Sequence, residues 1–398
     1  MADSVVIVSA ARTPIGGMQG VFLNVTAPQL GTHAIRAAVE RAGIKPDDVQ
    51  EVIMGCVLPA GQRQAPARQA ALGAGLPPSV VATTINKVCG SGMKSLMLAN
   101  DGLALGNTDL VVAGGMESMT NAPYLVPKGR GGYRYGHAML LDHMAYDGLE
   151  DAYDTLPNGG GQSMGEYAEI CVDKYKFTRE AQDAFAIEST RRAVAANSDG
   201  TFSWEIAPVT VPARTGEIIV EKDEQPLKAN PEKIPSLRPA FRKNGTVTAA
   251  SSSSISDGAA ALVVMRESTA TRLGCTPLAR IVAHATYAEE PRWFTTAPVG
   301  AIAKLYEKTG WNTETVDLFE VNEAFAAVAM ATMCEHRIPH SKINIHGGAC
   351  ALGHPIGASG ARIVVTLLGA LRKTGGTRGI ASLCIGGGEA TAVAIEMV

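Results

Sequence analysis

The feature that most constrains this 398-residue chain is an internal repetition. Residues 43–55 predict the end of a helix, a turn and an apolar strand, and residues 310–322 repeat that plan 267 positions later. A second pair of segments lies at an offset of 268, where Ser91 and Gly92 open one predicted helix and Ser359 and Gly360 open the other. Two offsets that agree to within one residue indicate a duplicated architecture.

The duplication predicts an α/β fold. Helices and strands alternate at a spacing typical of α/β units, so we expect two halves, residues 1–270 and 271–398, with buried and largely parallel strands. A duplicated architecture brings the equivalent loops of both halves to one face. Cys89 and His354 precede the equivalent helices, and we therefore expect their side chains to meet there.

Residues 119 to about 248 interrupt the repetition. Pro, Gly and charged residues are frequent, and amphipathic helices are predicted at residues 164–175 and 178–196. Thr178 is placed to cap the second helix, and Asp199 with Gly200 is placed to end it. We interpret the segment as a cap inserted over the active face, with a long surface connection as the alternative.

Composition excludes several classes of function. A net charge of −3 gives no electrostatic footprint for nucleic acid or an anionic membrane, and no apolar run approaches the ~20 residues that span a bilayer. The seven cysteines are odd in number and form no CxxC pair, which argues against a disulfide framework and a structural zinc site. We predict no metal. The first residues lack a basic leader, so we expect a cytoplasmic protein.

Cys89 is the first candidate for chemistry. It lies just before a predicted helix, in the sequence Val-Cys-Gly-Ser-Gly. Partial positive charge and unsatisfied N–H donors at a helix N-terminus lower the pKa of a nearby thiol, and small neighbours leave room for a substrate carbonyl. The motif predicts a nucleophile, and a buried structural cysteine in a tight helix start is the alternative.

His354 is the candidate base. Pro355 fixes the backbone after it, and Gly357 and Gly360 leave the loop without side chains at their positions. The imidazole can therefore face a cleft and accept the thiol proton. Taken alone, the motif favours a histidine that caps a helix or is satisfied in the core.

Cys384 and Asn322 each follow a predicted strand. Cys384 precedes three glycines, Gly386 among them, whose N–H groups can approach a ligand and form an oxyanion hole. A thiol there could move a proton at the α-carbon of a thioester, and strand-end packing is the alternative. Asn322 is placed to orient a water or an oxyanion, whereas Glu323 fits an acid at a helix start better than a base.

Together these motifs resemble the thiolase family over the whole chain. The matching segments are residues 86–94, 112–119, 322–325, 347–362 and the stretch from Cys384 to Gly388. The resemblance implies the thiolase fold, with two duplicated α/β halves in a five-layer αβαβα arrangement and a loop domain at about 119–248. It also implies that coenzyme A thioesters are substrates and that no cofactor is required.

The resemblance assigns a role to each candidate. Cys89 would be the acylated nucleophile, and His354 would activate it and, with a water held by Asn322, bind one thioester oxygen. Cys384 would be the acid and base at the α-carbon. The N–H groups of Cys89 and Gly386 would bind the other oxygen.

Within the family, the pocket segments resemble those of short-chain enzymes. Met164 stands where a methionine floors a short acyl pocket, and Trp293 and Phe294 lie in a segment similar to that of acetoacetyl-CoA-forming members. Ser253 and Lys228 are candidate contacts for the pantetheine and phosphates of coenzyme A. The chain departs from the common family pattern at Ser163, at residues 251–258 and at His346, which bears on acyl-chain preference.

The implied activity is that of an acetyl-CoA C-acetyltransferase, which reversibly condenses two acetyl-CoA to acetoacetyl-CoA and CoA through an acetyl-cysteine. A degradative 3-ketoacyl-CoA thiolase with broader chain length is the alternative. A ketoacyl-synthase-like enzyme would need a histidine or asparagine in place of Cys384, and a non-enzymatic CoA- or lipid-binding relative would be expected to lack Cys89 or His354. A homotetramer built from dimers and a role in fatty acid metabolism are also expected.

Overall fold

The computed structural model describes residues 3–157, 160–213 and 216–398, so Met1 and Ala2 of the predicted N-terminal half lie outside it. The first part of the chain forms strands β1 (Val5–Arg12), β2 (Gly16–Gly17), β3 (Glu51–Gly55), β4 (Val81–Ile85) and β5 (Leu110–Ser118). Between them lie helices α1 (Ala27–Ala42), α2 (Pro66–Gly73) and α3 (Ser91–Ala104), and a 3₁₀ turn at Pro46–Asp48.

The predicted insertion follows β5 and is built from short elements. They are β6 (Tyr124–Leu125), β7 (Leu141–Asp142), a π-helical turn (Ala145–Leu149), β8 (Glu150–Thr155), β9 (Gly161–Ser163), α4 (Met164–Tyr175), α5 (Arg179–Ser198), β10 (Val209–Ala213), β11 (Gly216–Val220) and α6 (Glu224–Lys228), with 3₁₀ turns at Thr201–Trp204 and Pro231–Ser236. The side chain of Thr178 accepts a hydrogen bond from the N–H of Ala181, and Asp199 is the C-cap of α5, as predicted.

The chain then completes the first half and forms the second. The elements are β12 (Ser256–Arg266), α7 (Glu267–Leu273), β13 (Ala279–Ala288), α8 (Ala297–Thr309), β14 (Leu318–Val321), α9 (Ala326–His336), α10 (Ala349–Leu352), α11 (Ser359–Thr374), β15 (Arg378–Ile385) and β16 (Glu389–Met397), with 3₁₀ turns at Pro291–Trp293 and His340–Lys342. Among the described residues, no helix is long and apolar enough to cross a membrane.

The main sheet is continuous and consists of two halves, whereas the short strands β6 to β11 of the insertion pair separately as two-stranded sheets among the described residues. Its order is β14-β15-β16-β13-β1-β12-β5-β3-β4, and β1 joins β13 through only two residue pairs, Val6 with Arg280 and Ile7 with Ala279. The prediction of largely parallel strands is wrong. Only β3 with β4, β3 with β5 and β14 with β15 are parallel, because β1, β12, β13 and β16 run against their neighbours in the middle of the sheet.

Helices pack on both halves of the sheet and between them, which confirms the five-layer αβαβα arrangement. Helices α1 and α2 cover the outer face of the first half, and α8 and α9 belong to the outer layer of the second. Helices α3 and α11 contact each other and the strands of both halves, and their apolar side chains form a central core. The site-bearing loops are therefore supported by three separate apolar layers.

The predicted repeat matches the starts of the observed elements. Helices α3 and α11 begin at Ser91 and Ser359, and β3 and β14 occupy equivalent positions in the two halves. The helices before those strands both end at a glycine in the left-handed region, Gly43 with φ 69° and Gly310 with φ 71°. Glycine is favoured at such a C-cap because it has no Cβ to clash.

The two central helices touch where they begin. A Cβ on Gly92 would lie 2.8 Å from the backbone nitrogen of Ala361, and a Cβ on Gly360 would lie 2.4 Å from that of Met93. Both distances are shorter than real Cβ contacts, and the obstructing atoms are backbone, so neither helix can carry a side chain there. This close approach places the residues before the two helices beside each other.

A buried ion cluster attaches the insertion to the first half. Arg12, at the end of β1, donates from Nε to Glu205 at 2.6 Å and from Nη1 and Nη2 to Asp223 at 2.7 and 2.9 Å. All three side chains are buried. Removing one partner from a buried ion pair costs about 3–5 kcal/mol, because the remaining charge is left without compensation. The cluster therefore holds the insertion in register with the sheet that it covers.

Candidate active site

A cavity of about 350 Å³ is lined by both halves and by the insertion. The first half contributes Cys89 and Met119, the second contributes Phe294, Phe325, His354 and Gly386, and the insertion contributes Ser163, Met164 and Phe241. The wall is mostly apolar with a few polar groups, and its size is within the range of ligand-binding cavities. The predicted meeting of Cys89 and His354 at one face is observed here.

Cys89 stands two residues before α3, in a turn with an unusual backbone. Val88 adopts φ 46°, in the left-handed region, and its N–H donates to Oδ1 of Asn86 at 2.8 Å. A β-branched residue is strained in that conformation, and such strain persists only where surrounding contacts impose it. The turn directs Cys89 into the cavity and not along the helix.

The expected lowering of the Cys89 pKa is wrong. Burial raises the pKa of this thiol to about 11, although the N–H groups of Gly386 and of Cys89 itself lower it. Glu117 adds a smaller repulsive contribution that also raises it. Desolvation of the thiolate exceeds the effect of the helix start. Cys89 therefore needs a base before it can act as a nucleophile.

His354, the predicted base, is buried in the wall of the cavity that Cys89 also lines. Its Nδ1 lies 2.6 Å from Oγ of Ser359, whereas Nε2 has no hydrogen-bond partner among the described residues. Burial, and then the positive charge of Arg362, lower the pKa of His354 to about 3. The ring is therefore neutral near pH 7, and Nε2 is the nitrogen left for a ligand in the cavity.

Asn322 lies behind the ring and does not line the cavity. Its Nδ2 is 3.4 Å from Nδ1 of His354, and its Oδ1 accepts a hydrogen bond of 3.2 Å from Nη2 of Arg362. The structure thus brings Asn322 to the histidine. The amide of Asn322 does not reach the cavity wall, where the water predicted to be held by it would contact a thioester.

Cys384 is completely buried at the end of β15 and also does not line the cavity. Burial raises its pKa well above the ordinary thiol value, and the negative charge of a Cys89 thiolate raises it further. The second effect requires the two thiols to be close. Gly386, two residues later, lines the cavity and directs its N–H to the Cys89 thiol.

The structure places two of the three predicted acyl-pocket residues in the cavity wall. Met164 and Phe294 line the cavity. Trp293 does not, since it ends a 3₁₀ turn and its ring lies 4.5 Å from Nζ of Lys174, outside the cavity wall. Adjacent residues of such a turn face different directions, which explains why only one of the pair reaches the cavity.

The two predicted coenzyme A contacts lie in different depressions. Ser253 lines the main cavity, and its N–H donates to the carbonyl of Ala324 at 2.9 Å. Lys228 lies outside that cavity, where it pairs with Glu224, the residue one helical turn earlier in α6. It lines a separate depression together with Lys233, Ala249 and Ala250. Those two alanines lead directly into the serine run that lines the main cavity.

Several residues of the site had no predicted role. Glu117 is buried and accepts hydrogen bonds from the N–H groups of Val57, Leu58 and Gly357 at 2.9, 3.2 and 2.9 Å. It thereby ties the loop after β3 to the loop that carries His354. Burial raises the pKa of Glu117 to about 7, and these N–H donors oppose the increase. The Gly-Gly-Met-Glu motif was the signal that could have identified it.

Two aromatic residues of the wall were also missed. Phe241, from the insertion, and Phe325, from the loop before α9, have ring centroids 5.8 Å apart in an edge-to-face arrangement. Phe325 belonged to a motif already noted, so sequence could have indicated it. Phe241 lies in an irregular segment with no pattern that would place it.

The interpretation of Glu323 as a helix-start acid needs correction. Its carboxylate is buried and accepts from Ser189 Oγ at 2.7 Å, from Asn344 Nδ2 at 2.8 Å and from the N–H of Cys350 at 3.2 Å. The helix that it helps to cap is α10, not the α9 that follows it in sequence. Glu323 therefore joins segments of the insertion and the second half.

No group of three or more potential metal ligands of the His, Cys, Asp or Glu type is found among the residues that the structure describes. All seven cysteines are free thiols.

Comparison with known proteins agrees with the fold. The model of the thiolase N-terminal domain matches residues 5–268, and that of the thiolase C-terminal domain matches residues 275–397. Acetyl-CoA acetyltransferase 2 of Arabidopsis thaliana is 49% identical over 397 residues, 99% of this chain and 97% of the relative. The acetyl-CoA acetyltransferase of Thiocystis violacea is 48% identical over 398 residues, with 100% of both chains covered.

Solved structures give the same result. The crystal structure of the Bacillus anthracis acetyl-CoA acetyltransferase superposes with a TM-score of 0.95 at 41% identity and covers 100% of this chain and 99% of the other. That of the Acat5 thiolase from Ascaris suum, in complex with coenzyme A, superposes with a TM-score of 0.92 at 40% identity and covers 99% and 100%. Both the sequence and the five-layer architecture thus lead to one conclusion: the chain belongs to the thiolase family.

Proposed function

We propose that this protein is an acetyl-CoA C-acetyltransferase that reversibly condenses two molecules of acetyl-CoA to acetoacetyl-CoA and CoA. One observation carries the proposal: a thiol, Cys89, shares a mostly apolar cavity with a neutral, buried histidine, His354. Relatives named acetyl-CoA acetyltransferase, similar over the full length, support the choice of substrate. The cavity volume of about 350 Å³ is suited to a small acyl group with the arm that delivers it.

The first half-reaction transfers the acetyl group to the protein. His354 Nε2 takes the proton of Cys89, and the thiolate attacks the acetyl-CoA carbonyl. The sulfur–acetyl bond of CoA breaks as the Cys89–acetyl bond forms, and the CoA thiolate leaves with the proton. The N–H groups of Cys89 and Gly386, which already point at the thiol, are placed to stabilise the oxyanion.

The second half-reaction forms the carbon–carbon bond. Cys384 would pass its proton to His354 and, as a thiolate, remove a proton from the methyl group of a second acetyl-CoA, and the resulting carbanion would attack acetyl-Cys89. Cys89 leaves as a thiolate and takes its proton back from His354, while Cys384 keeps the methyl proton, so the enzyme returns to its initial state. Asn322 and His354 would stabilise the enolate oxygen of the second substrate, with Asn322 acting through the ring contact described above.

The coenzyme A moiety would extend from the main cavity towards Lys228. Ser253 lines the cavity, and residues 249 and 250, just before the serine run, line the depression that holds Lys228 and Lys233. Two lysines in that depression suit phosphate groups, while the apolar cavity suits the pantetheine arm. We keep Ser253 and Lys228 as proposed contacts on this ground.

We also propose a cytoplasmic homotetramer, a dimer of dimers that acts in fatty acid metabolism. Strand β4 is at the end of the sheet and Val81 on it is exposed, so its free edge needs a cover. The insertion exposes further apolar side chains at Tyr124, Tyr135 and Met139. Fractionation of the native cells that found the protein outside the cytoplasm would contradict the location.

Light scattering tests the oligomeric state. We expect a mass of four chains of 41.4 kDa at micromolar concentration, because the β4 edge and the apolar residues of the insertion lie on separate parts of the chain and can form two kinds of contact. Replacement of Val81 by lysine should reduce the mass, since a charge blunts an exposed edge. A monomeric wild-type protein would contradict the proposal.

Cys89→Ala should abolish acetylation of the protein by acetyl-CoA, because the nucleophile is removed. Intact-mass measurement should show one acetyl group on the wild type and none on the variant. Cys334→Ala, which removes an exposed thiol, is the matched control and should be acetylated like the wild type. An acetylated Cys89→Ala protein would refute the assignment of the nucleophile.

Cys384→Ala should leave acetylation of Cys89 largely intact and remove proton exchange at the acetyl methyl, because only the second half-reaction needs an acid and base there. The measurement is deuterium uptake into acetyl-CoA in heavy water, with an expected fall of at least about 10²-fold. Cys171→Ala, another buried thiol, should retain exchange. Exchange at the wild-type rate in Cys384→Ala would assign the proton transfer to another group.

The wild type should prefer four-carbon over eight-carbon 3-ketoacyl-CoA by about 5- to 200-fold in kcat/KM, because overfilling a packed site costs roughly 1–3 kcal/mol. Met164→Ala should reduce that ratio by opening the wall, whereas Trp293→Ala should not, since Trp293 is outside the cavity. Kinetics with both substrates decide the matter. A wild type that prefers eight carbons would favour the degradative 3-ketoacyl-CoA thiolase.

A further inference from the structure

The hydroxyl of Ser359 lies directly behind the ring of His354. Ser359 is the first residue of α11, is completely buried, and places Oγ 2.6 Å from Nδ1 of His354 and 3.0 Å from the carbonyl oxygen of Pro355. We infer that Ser359 is a positioning residue whose hydroxyl rotates between these two partners and so lets His354 take and return the Cys89 proton. The inference rests on the proposed function.

The Ser359 hydroxyl can both donate and accept a hydrogen bond. A serine hydroxyl has one proton to donate and two lone pairs that accept. When Nδ1 carries no proton, the hydroxyl donates to it, and the histidine proton is on Nε2. When Nδ1 carries a proton, the hydroxyl accepts a hydrogen bond from Nδ1–H and donates one to the carbonyl oxygen of Pro355. A single side chain thus satisfies both tautomers of the neutral ring and the charged imidazolium.

The other neighbour of Nδ1 cannot take over this function. Arg362 has only donors, so the atom of Asn322 that it contacts at 3.2 Å must be the carbonyl oxygen Oδ1. The amide nitrogen then faces Nδ1 at 3.4 Å, and it too can only donate. Among the described residues, Oγ of Ser359 is therefore the acceptor within hydrogen-bond distance of a protonated Nδ1.

The surrounding charges make this acceptor important. Arg362, on α11, disfavours a positive His354. Its own charge is partly balanced by Glu320, on β14, 3.7 Å away. Glu117, on β5, holds the N–H of Gly357 in the histidine loop, and the thiol of Cys89 lines the same cavity as the ring. Without Ser359, the proton on Nδ1 of an imidazolium would face no acceptor, and proton transfer from Cys89 to Nε2 would be less favourable.

The test compares Ser359→Ala with the wild type in two measurements. One is the rate of Cys89 acetylation by acetyl-CoA, which should fall about 10- to 100-fold, the usual effect of losing a hydrogen bond to a charged group. The other is the rate of Cys89 alkylation by iodoacetamide, which should fall by the same factor near pH 7 but match the wild type near pH 11, where hydroxide and not His354 takes the thiol proton. A change in packing alone would lower the rate at both pH values.

Ser95→Ala is the matched control. Ser95 is a buried serine of the sister helix α3, and its hydroxyl contacts only the carbonyl oxygens of Gly92 and Gly114, at 2.7 and 2.6 Å. We expect its acetylation rate and its alkylation rates at both pH values to match the wild type. Equal shifts in Ser95→Ala and Ser359→Ala would overturn the inference, because they would reflect a general loosening of the central helices.

Ser359→Cys keeps the experiment decisive if the alanine variant does not fold. A thiol fills the same space but is a weak hydrogen-bonding group, so acetylation should again be slow, with the modified cysteine identified by peptide mass. Acetylation of Ser359→Cys at the wild-type rate would overturn the inference. A wild type that iodoacetamide alkylates at Cys89 but acetyl-CoA does not acetylate would refute the proposed function instead, so the two failures are distinguishable.

Discussion

The contact between the two central helices is the constraint on which the remainder of this structure depends. Each helix has a glycine at its second residue, Gly92 in α3 and Gly360 in α11, and backbone atoms of the opposite helix occupy the space that a Cβ would need. Helices α3 and α11 also contact strands of both halves in one central apolar core, so their separation is fixed by the sheet as well as by each other. The loops that precede them therefore end at the same place, and these loops carry Cys89 and His354. The two groups meet because the halves are packed back to back.

Burial then decides the resting charge of the site. It raises the pKa of Cys89 to about 11 and lowers that of His354 to about 3, so both groups are neutral near pH 7. A pair of this kind does not form a thiolate and an imidazolium spontaneously near pH 7. Charge has to develop during the reaction, and the groups that stabilise it must already be in place. The N–H of Gly386 on one side and the hydroxyl of Ser359 on the other meet that requirement at the sulfur and at the ring.

The sequence predicted what depends on local pattern and on the repeat. The starts of α3 and α11, strand β14 and helices α4 and α5 agree with the predictions, because apolar periodicity, caps and glycine stops are local signals. Strand direction was not predictable in the same way. The antiparallel strands β1, β12, β13 and β16 lie outside the segments in which the repeat was recognised, and their order in the sheet is a property of tertiary packing. Burial likewise reversed the expected pKa shift of Cys89, which depends on desolvation that no local motif reports.

Residues behind the catalytic groups were the least predictable. Glu117 is far in sequence from the loop of Gly357 that it holds, and Arg362 is hydrogen-bonded to Asn322, which in turn contacts His354. Phe294 lines the cavity and its neighbour Trp293 does not, because successive residues of a 3₁₀ turn point in directions about 120° apart. Such assignments require the geometry of several segments at once. The motifs identified where chemistry could occur, and the packing determined which side chains take part.

The two halves use the same hydroxyl differently, and the difference shows how a duplicated scaffold acquires an asymmetric site. Ser91 and Ser359 are the first residues of the equivalent helices α3 and α11. The Ser91 hydroxyl donates to the carbonyl of Val88 at 2.7 Å and accepts from the N–H of Lys87 at 2.8 Å, so it serves only the backbone of its turn. The Ser359 hydroxyl retains a backbone carbonyl, that of Pro355, as one partner, but its second partner is the ring of His354. Ser359 thus positions a base because one of its two partners is the ring of His354. Ser91, in the half that supplies the nucleophile Cys89, stabilises the backbone of its own turn.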